Sequence, residues 1–410
     1  MSLRGIVITE GLVGQNVGGD SRQFGLIANG VAVTDKVQLD TAYLLRRPSD
    51  AVAIGIDAAY DTAQSVNVYR HITEFYRRAG EGKKLWIMLL AQSVLPAAMT
   101  TKAKELAVAA DGMISDMAFA FNPVTITGEG AYTETALNGM NADVYAGIAA
   151  LQEFAEWTDD NDMPLHTILE CRGIVDSVAT LTDMRALTAQ KVTLVIGQDY
   201  NYANTLWTLG KKFADVGTFL GVIAGAAWNR NPGEVQTNNL TNAARGSWLV
   251  GGLSNHTAYA AYYSEIETLN DKGYVFGIRY QGLTGYWWND GHVCAPVTID
   301  TDGNINQHTL YYSHTMDQCK RALRIAYLPE VKKPVVLDGG LLPASMVDYY
   351  NAVGDAVFER LSGLQLISEG RTYTDPASDL ITDKILTISF VVVPTGCVNE
   401  IVGTINLKNQ

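Results

Sequence analysis

Between Leu85 and Ile196 the chain alternates two kinds of segment, and this alternation restricts the fold more than any motif does. Strand-like, largely apolar runs recur at Leu85–Leu90 (LWIMLL), Met117–Phe121, Leu165–Cys171 and Val192–Ile196. Helical stretches lie between and before them, at Gln64–Ala79, Met99–Ala110 and Ala142–Trp157. In the first of these, Val68, Ile72, Phe75 and Tyr76 form one apolar stripe, and Gly80 and Gly82 end it. A strand that is apolar on both faces must be covered on both faces. The pattern therefore predicts a largely parallel sheet with helices on each side.

The flanking regions differ. Gly5–Thr9 and Phe24–Thr34 are short β-like runs separated by Gly11, Gly14, Gly18 and Gly19. Such glycine-rich strands cannot stand alone and need a sheet to join. The second half predicts a helix over Thr257–Leu269, a strand over Tyr274–Ile278 and a turn at Trp287–Gly291. A hairpin turn at Asp302–Gly303 and helices over Gln307–Leu328 and Pro343–Gly363 follow. Ile385–Val393 is rich in β-branched residues and is followed by Pro394 and a second β-like run to Leu407. The fold class expected is α/β: a mixed sheet body covered by helices, with extended N- and C-terminal β arms.

Composition narrows the function. Of 410 residues, 47% are hydrophobic and only 18% charged, against about 25% charged in typical soluble domains. That deficit points to surface hidden in an assembly. It is deepest at the ends, where residues 1–30 carry only Arg4, Glu10, Asp20 and Arg22, and residues 385–410 only Glu400 and Lys408. A net charge of −13 argues against a nucleic-acid partner. No apolar run is long enough for a membrane span, and the first residues lack a secretory-signal pattern. Cys171, Cys294, Cys319 and Cys397 are far apart and read as reduced thiols.

Catalytic signatures are sparse. The chain has no G-x-S-x-G elbow, phosphate loop, dinucleotide fingerprint or H-E-x-x-H helix. Gly217–Gly225 (GTFLGVIAG) spaces its glycines by four, which suits close helix packing. His292 with Cys294, and His314 with Cys319, fall short of the three or four convergent ligands of a zinc site. Glu170 and Asp199, at strand ends, are the one carboxylate pair that a glycoside hydrolase could use. Five acids (Glu153, Glu156, Asp159, Asp160 and Asp162) and five bases (Arg70, Arg77, Arg78, Lys83 and Lys84) read as solvated faces, or as patches that meet between subunits. No catalytic, cofactor-binding or metal residue is assigned.

Four stretches together resemble the contractile tail sheath proteins of bacteriophages, tailocins and related injection systems. They are FGLIANGVAVTDKVQLDTAYLL with VYRHITEFYRRAGEGKKLWIML, then FADVGTFLGVIAGAAWNRNPGEV, then GYVFGIRYQGLTGYWWNDGHVCAPVT, and last SMVDYYNAVGDAVFERLSGLQLISEG with ILTISFVVVPTGCVNEIVGTINL. DGHVCAPVT and the region Asn122–Ala142 depart from the family pattern. The resemblance implies an N-terminal β arm over 1–30, an α/β sheath domain over 31–285, a C-terminal sheath domain over 286–380 and a C-terminal β arm over 381–410. It also implies a subunit that links to copies of itself by strand exchange, in hexameric rings stacked into a helical tube. The linking strands would be Gly5, Ile6, Val7, Ile8 and Thr9, with Ile385, Leu386, Thr387, Ile388, Ser389, Phe390, Val391, Val392 and Val393, and the run from Glu400 to Leu407. Further implied partners are a tail tube protein and baseplate and terminator proteins, with no cofactor and no nucleic acid. The place implied is a virion tail or contractile particle assembled in the bacterial cytoplasm. A carbohydrate-active or carbohydrate-binding protein, and a baseplate or cap component of the same machine, are the competing readings.

Overall fold

The computed structural model describes residues 22–124 and 132–408. The expected linking strand Gly5–Thr9 lies outside the described residues. The chain begins with β1 (Gln23–Gly30), β2 (Ala42–Leu45), α1 (Pro48–Ala53), α2 (Ala58–Gln64), α3 (Val68–Ala79), β3 (Leu85–Ala91), α4 (Pro96–Ala109) and β4 (Ile114–Ala120). A small hairpin follows, β5 (Ala136–Leu137) and β6 (Met140–Asn141), then α5 (Ala142–Asp160), β7 (His166–Glu170) and β8 (Val192–Val195). Six strands form one sheet in the order β2-β3-β1-β4-β7-β8. All neighbours are parallel except the edge strand β2.

The expected N-terminal arm is therefore shorter than 30 residues, because Gln23–Gly30 is an inner strand of this sheet and buried along its length. Its glycines are required by packing. A Cβ on Gly25 would lie 2.9 Å from Met117 Cγ, and one on Gly30 would lie 2.7 Å from the Tyr60 hydroxyl. Phe24 meets Phe75 of α3 on one face, while Phe119 of β4 meets Phe154 of α5 on the other. The expected two-sided cover is thus present.

The next elements are β9 (Gly197–Asp199), α6 (Tyr200–Asn204), α7 (Val216–Gly225), β10 (Gly251–Leu253), β11 (Thr257–Ala258), α8 (Tyr259–Tyr262) and α9 (Ile266–Asp271). The glycine helix α7 packs on α3 as its spacing predicted. A Cβ on Gly221 would lie 2.6 Å from the Phe75 carbonyl, and one on Gly225 2.7 Å from that of Arg78. Two elements differ from expectation. The helix over Gln64–Ala79 is broken at Ser65 (φ 54), and α3 restarts at Val68 because the buried Asp61 carboxylate caps it, accepting from the Tyr69 and Arg70 N–H groups at 3.0 and 2.9 Å. Thr257–Leu269 is no single α-helix: Thr257–Ala258 pairs with β10, and the helical stretch that follows tightens to a 3-10 turn at Tyr263–Glu265, next to the buried Tyr262, which donates to the Gly277 carbonyl.

The short strands β12 (Gly277–Ile278) and β13 (Trp287–Trp288) pair with each other, so the expected Trp-Trp turn is partly strand. The reason is burial: Trp288 stacks edge-on against Trp248 and Phe219, at 5.0 and 5.3 Å between centroids. The turn at Asp302–Gly303 forms as expected, with Ile299 bridging Ile305. The chain ends with α10 (Leu310–Tyr327), α11 (Ala344–Gly363), β14 (Ile367–Thr374) and β15 (Ile388–Pro394). These last elements enclose a small second core of Cys319, Leu323, Val357, Phe358, Leu361 and Ile367, which Trp228 enters from the body.

Candidate assembly surface

The C-terminal hairpin exposes one usable edge. Ile388–Pro394 pairs antiparallel with Ile367–Thr374, so the predicted run Ile385–Val393 is a hairpin strand in this subunit and not a free arm. Phe390 packs inward against Tyr327 and Phe358, at 5.8 and 6.2 Å, while Val391 and Val393 face solvent. The two outer edges differ. On β14, the outward N–H groups of Thr372 and Thr374 are already taken by Asp355 Oδ1 and Asn351 Oδ1 of α11, at 2.9 and 2.8 Å. In an antiparallel ladder this makes Thr372–Phe390 and Thr374–Ile388 the non-hydrogen-bonded pairs. The N–H groups of Ile388 and Phe390 therefore point away from β14, along an edge that has no strand partner among the described residues. Residues 388–393 carry no charge and no proline, so apart from Pro394 at its end this edge has no built-in guard against pairing.

The tail supplies a complementary element. Thr395–Asn399 is held to the body by side chains: Asn229 Nδ2 donates to Thr395 Oγ1 (3.1 Å), and Asn399 Nδ2 donates to Asp290 Oδ2 (3.1 Å). This segment borders a cleft of about 1160 Å³ whose walls include Arg230, Glu234, Tyr280 and Leu366. Beyond it the chain is bare. Ile401, Val402, Ile405 and Leu407 are 88%, 86%, 94% and 100% exposed. In an extended chain, Ile401, Gly403, Ile405 and Leu407 share one face. The tail forms no strand in the subunit, but when extended it has an apolar side that no sheet among the described residues buries.

The other sequence candidates resolve into framework. Glu170 is fully buried and accepts from the Phe121 and Ala214 N–H groups at 2.7 and 3.0 Å, and burial pushes its carboxyl up to about 7. Asp199 accepts from the Trp248 N–H at 2.9 Å and pairs with Arg70 at 3.1 Å, with burial raising its carboxyl. Both clamp loops to the sheet, and their replacement would test folding before it tested hydrolysis. The expected basic face is also corrected. Arg70 reaches Asp215, Asp199 and Glu74 inside the α3–α7 contact, Arg77 pairs with Glu74, and Arg78 donates to the Asn239 carbonyl. The glycines of α7 bring its backbone close enough to draw these arginines inward. Of the acids, Asp159 and Asp162 pair with Lys320 and Arg324 of α10, leaving Glu153, Glu156 and Asp160 exposed. Cys171, Cys294 and Cys319 are buried thiols and Cys397 is exposed. Among the described residues no three metal-ligating side chains gather, and no helix is long and apolar enough to cross a membrane. Sequence reading missed the edge asymmetry of the hairpin, which depends on Asn351 and Asp355 lying beside β14.

The sequence profile of the DUF2586 N-terminal domain matches residues 6–292. The chain belongs to the DUF2586 family. No curated protein matches the sequence of this DUF2586 chain. Its fold is that of contractile sheath proteins. It is similar to a chain of the anti-feeding prophage helical sheath in its contracted state, with a TM-score of 0.59 and 11% identity over 99% of both chains. It is equally similar to a chain of the anti-feeding prophage baseplate, with a TM-score of 0.59 and 11% identity over 100% of this chain and 99% of that one. The sheath tail protein Lin1278 from Listeria innocua has a TM-score of 0.50 and 8% identity over 92% of this chain and 96% of that one. The hairpin and tail of the DUF2586 chain lie beyond residue 292, outside the family profile but inside the span of these structural likenesses.

Proposed function

We propose that the protein is the structural subunit of a contractile sheath, and that it has no catalytic role. It polymerises with itself as stacked rings around a tube protein, between baseplate and terminator proteins, in a phage tail or related particle. The observation that carries this reading is the presence, on one sheath fold, of an open, uncharged β15 edge and an exposed apolar tail segment. The tail of one subunit adds to the β15 edge of another by β-augmentation, in which backbone hydrogen bonds give connection and alternate side chains give register. The glycine-rich segment around Gly5–Thr9 is a further linking strand. Such links persist while subunit bodies shift between two packings, so contraction draws on the free-energy difference between lattices.

The test is electron microscopy of the purified protein at rising concentration. Full-length protein is expected to form tubes, and protein lacking residues 400–410 is expected to remain a folded monomer. Long tubes from the truncated protein would refute the reading. The similarity to a baseplate chain favours a second placement, at the base of the sheath. Rings that never elongate would support that placement instead.

A further inference from the structure

Helix α10 touches the rest of the molecule through two faces of opposite chemistry. Toward α11 it presents Cys319, Leu323, Ala322, Ala326 and Tyr327 to the small second core. Toward the sheet it presents Ser313, His314, Asp317 and Arg321, which share a face at helical spacing. Ser313 Oγ lies 3.0 Å from His166 Nδ1, and His314 Nε2 lies 2.5 Å from Asp116 Oδ1. Asp317 pairs with Lys191, and Arg321 donates to the carbonyls of Gly112, Ile114 and Pro164 at 2.6, 2.8 and 2.6 Å. At the rim, Lys320 and Arg324 pair with Asp159 and Asp162.

This seam is almost wholly polar, although Asp116, His166, Ser313, His314 and Asp317 are all buried. Buried ion pairs gain little net stability, because desolvation offsets their attraction. Two buried atoms of the seam, Asp317 Oδ2 and Arg321 Nε, also lack partners, and opening would hydrate them. The units on either side have their own apolar cores, and the one apolar tie between the two cores among the described residues past Leu310 is Trp228 of the body, which opening would withdraw from the smaller core. Leu310, in the large core, ties the start of α10 to the body.

We infer that residues 311–394 form a unit that opens from the body along this seam as one piece, and that acid opens it. The groups facing the two histidines are Asp116 on β4, Arg22 ahead of β1, Lys191 ahead of β8, and Asp317 and Arg321 on α10 itself. Burial, with His314 nearby, holds His166 neutral well below the usual histidine range; Asp116 opposes this shift, and Lys191 adds a smaller push in the same direction as burial. A histidine kept neutral when closed stabilises the closed form fully above its free value near 6.5. That stability is lost as pH falls below it, because the opened form takes up the proton. Asp116 is held below its ordinary value, so its contribution fades only in stronger acid, below about 3.8.

The experiment is hydrogen exchange by mass spectrometry on the full chain at about pH 7.5 and about pH 5, corrected for intrinsic rates. One histidine that titrates near 6.5 only when opened raises the opening constant roughly thirtyfold at about pH 5. Peptides from α10 past its first turn, α11, β14 and β15 should lose protection together by that factor, while β1, β3 and β4 keep theirs. His166→Asn, which cannot gain the charge, should cut the acid effect to less than about threefold. The double variant Lys320→Gln and Arg324→Gln removes only the rim pairs, and should raise opening of the same peptides a few-fold at neutral pH. Loss of protection throughout the body at the same rate would overturn the inference. So would an acid response unchanged in His166→Asn, or none in the wild type. Should His166→Asn fail to fold, the rim variant decides: exchange spread evenly over both units refutes a separate opening unit.

Discussion

The side chains of Ile405 and Leu407 are 94% and 100% exposed, so in the isolated subunit they contribute almost nothing to folding. If the tail joins a neighbouring sheet, each moves from water to an apolar face, which is worth about 1.5–3 kcal/mol per side chain. The double variant Ile405→Ser and Leu407→Ser should therefore weaken each subunit link by roughly 3–6 kcal/mol, before any relaxation of the backbone pairing. At about 1.4 kcal/mol per decade, that is a 10²- to 10⁴-fold rise in the concentration needed to polymerise. Sedimentation velocity across a concentration series would measure the shift, and thermal melting of dilute protein would serve as the control. The monomer Tm should stay within about a degree of wild type, since the replaced atoms touch nothing. Assembly at an unchanged concentration would refute the reasoning. A large fall in monomer Tm would equally show that the tail is part of the fold.

Proline can separate the two sides of β15. Ile388→Pro removes an N–H that points outward and should reduce assembly with little loss of monomer stability, whereas Ser389→Pro breaks the inner ladder and should destabilise the hairpin by about 3 kcal/mol. Equal melting temperatures for the two would refute the edge assignment. Gly221→Ala puts a methyl 2.6 Å from the Phe75 carbonyl, so α3 and α7 must separate at a cost of about 1–3 kcal/mol, visible as a lower denaturant midpoint. A midpoint within error of wild type would show that the contact is looser than drawn. Glu170 rises from 4.5 to about 7 on folding, so the native state binds its proton more tightly. Stability should decline by about 3 kcal/mol as pH rises from 4.5 to about 7 and then level off. Urea melts of Glu170→Gln should lack that slope, and an unchanged slope would assign it elsewhere.

Much of the body was legible because burial writes itself into the sequence. LWIMLL is apolar at every position, as an inner strand covered on both faces must be, VTLVI is nearly so at the sheet edge, and GTFLGVIAG announced a close helix contact through its glycine spacing. Gln23–Gly30 was harder to place, because glycines chosen to clear Met117 and Tyr60 imitate those of a flexible arm. The break at Ser65 and the tightened turn after Tyr262 were hidden because each goes with a side chain whose partner lies outside its own helical turn. The same holds for the charges. Arg70 reads as a surface residue until Asp199 and Asp215, more than a hundred residues away, are brought beside it. At the assembly surface the apolar tail was readable from its missing charges, but the capped edge of β14 was not, because side chains from a neighbouring helix do the capping.

That capped edge sets a combining number. With the β14 edge closed by Asn351 and Asp355, the hairpin can accept one strand, at β15, and the tail can donate one. A subunit with one socket and one plug of different shape can be satisfied in two ways, by a reciprocal swap within a two-fold pair or by passing the connection to a further subunit. Only the second way extends, like links threaded in a single direction. In a ring or tube linked as proposed, the different plug and socket give the chain a front and a back, and Asn351 and Asp355, by occupying the β14 edge, keep it from branching there.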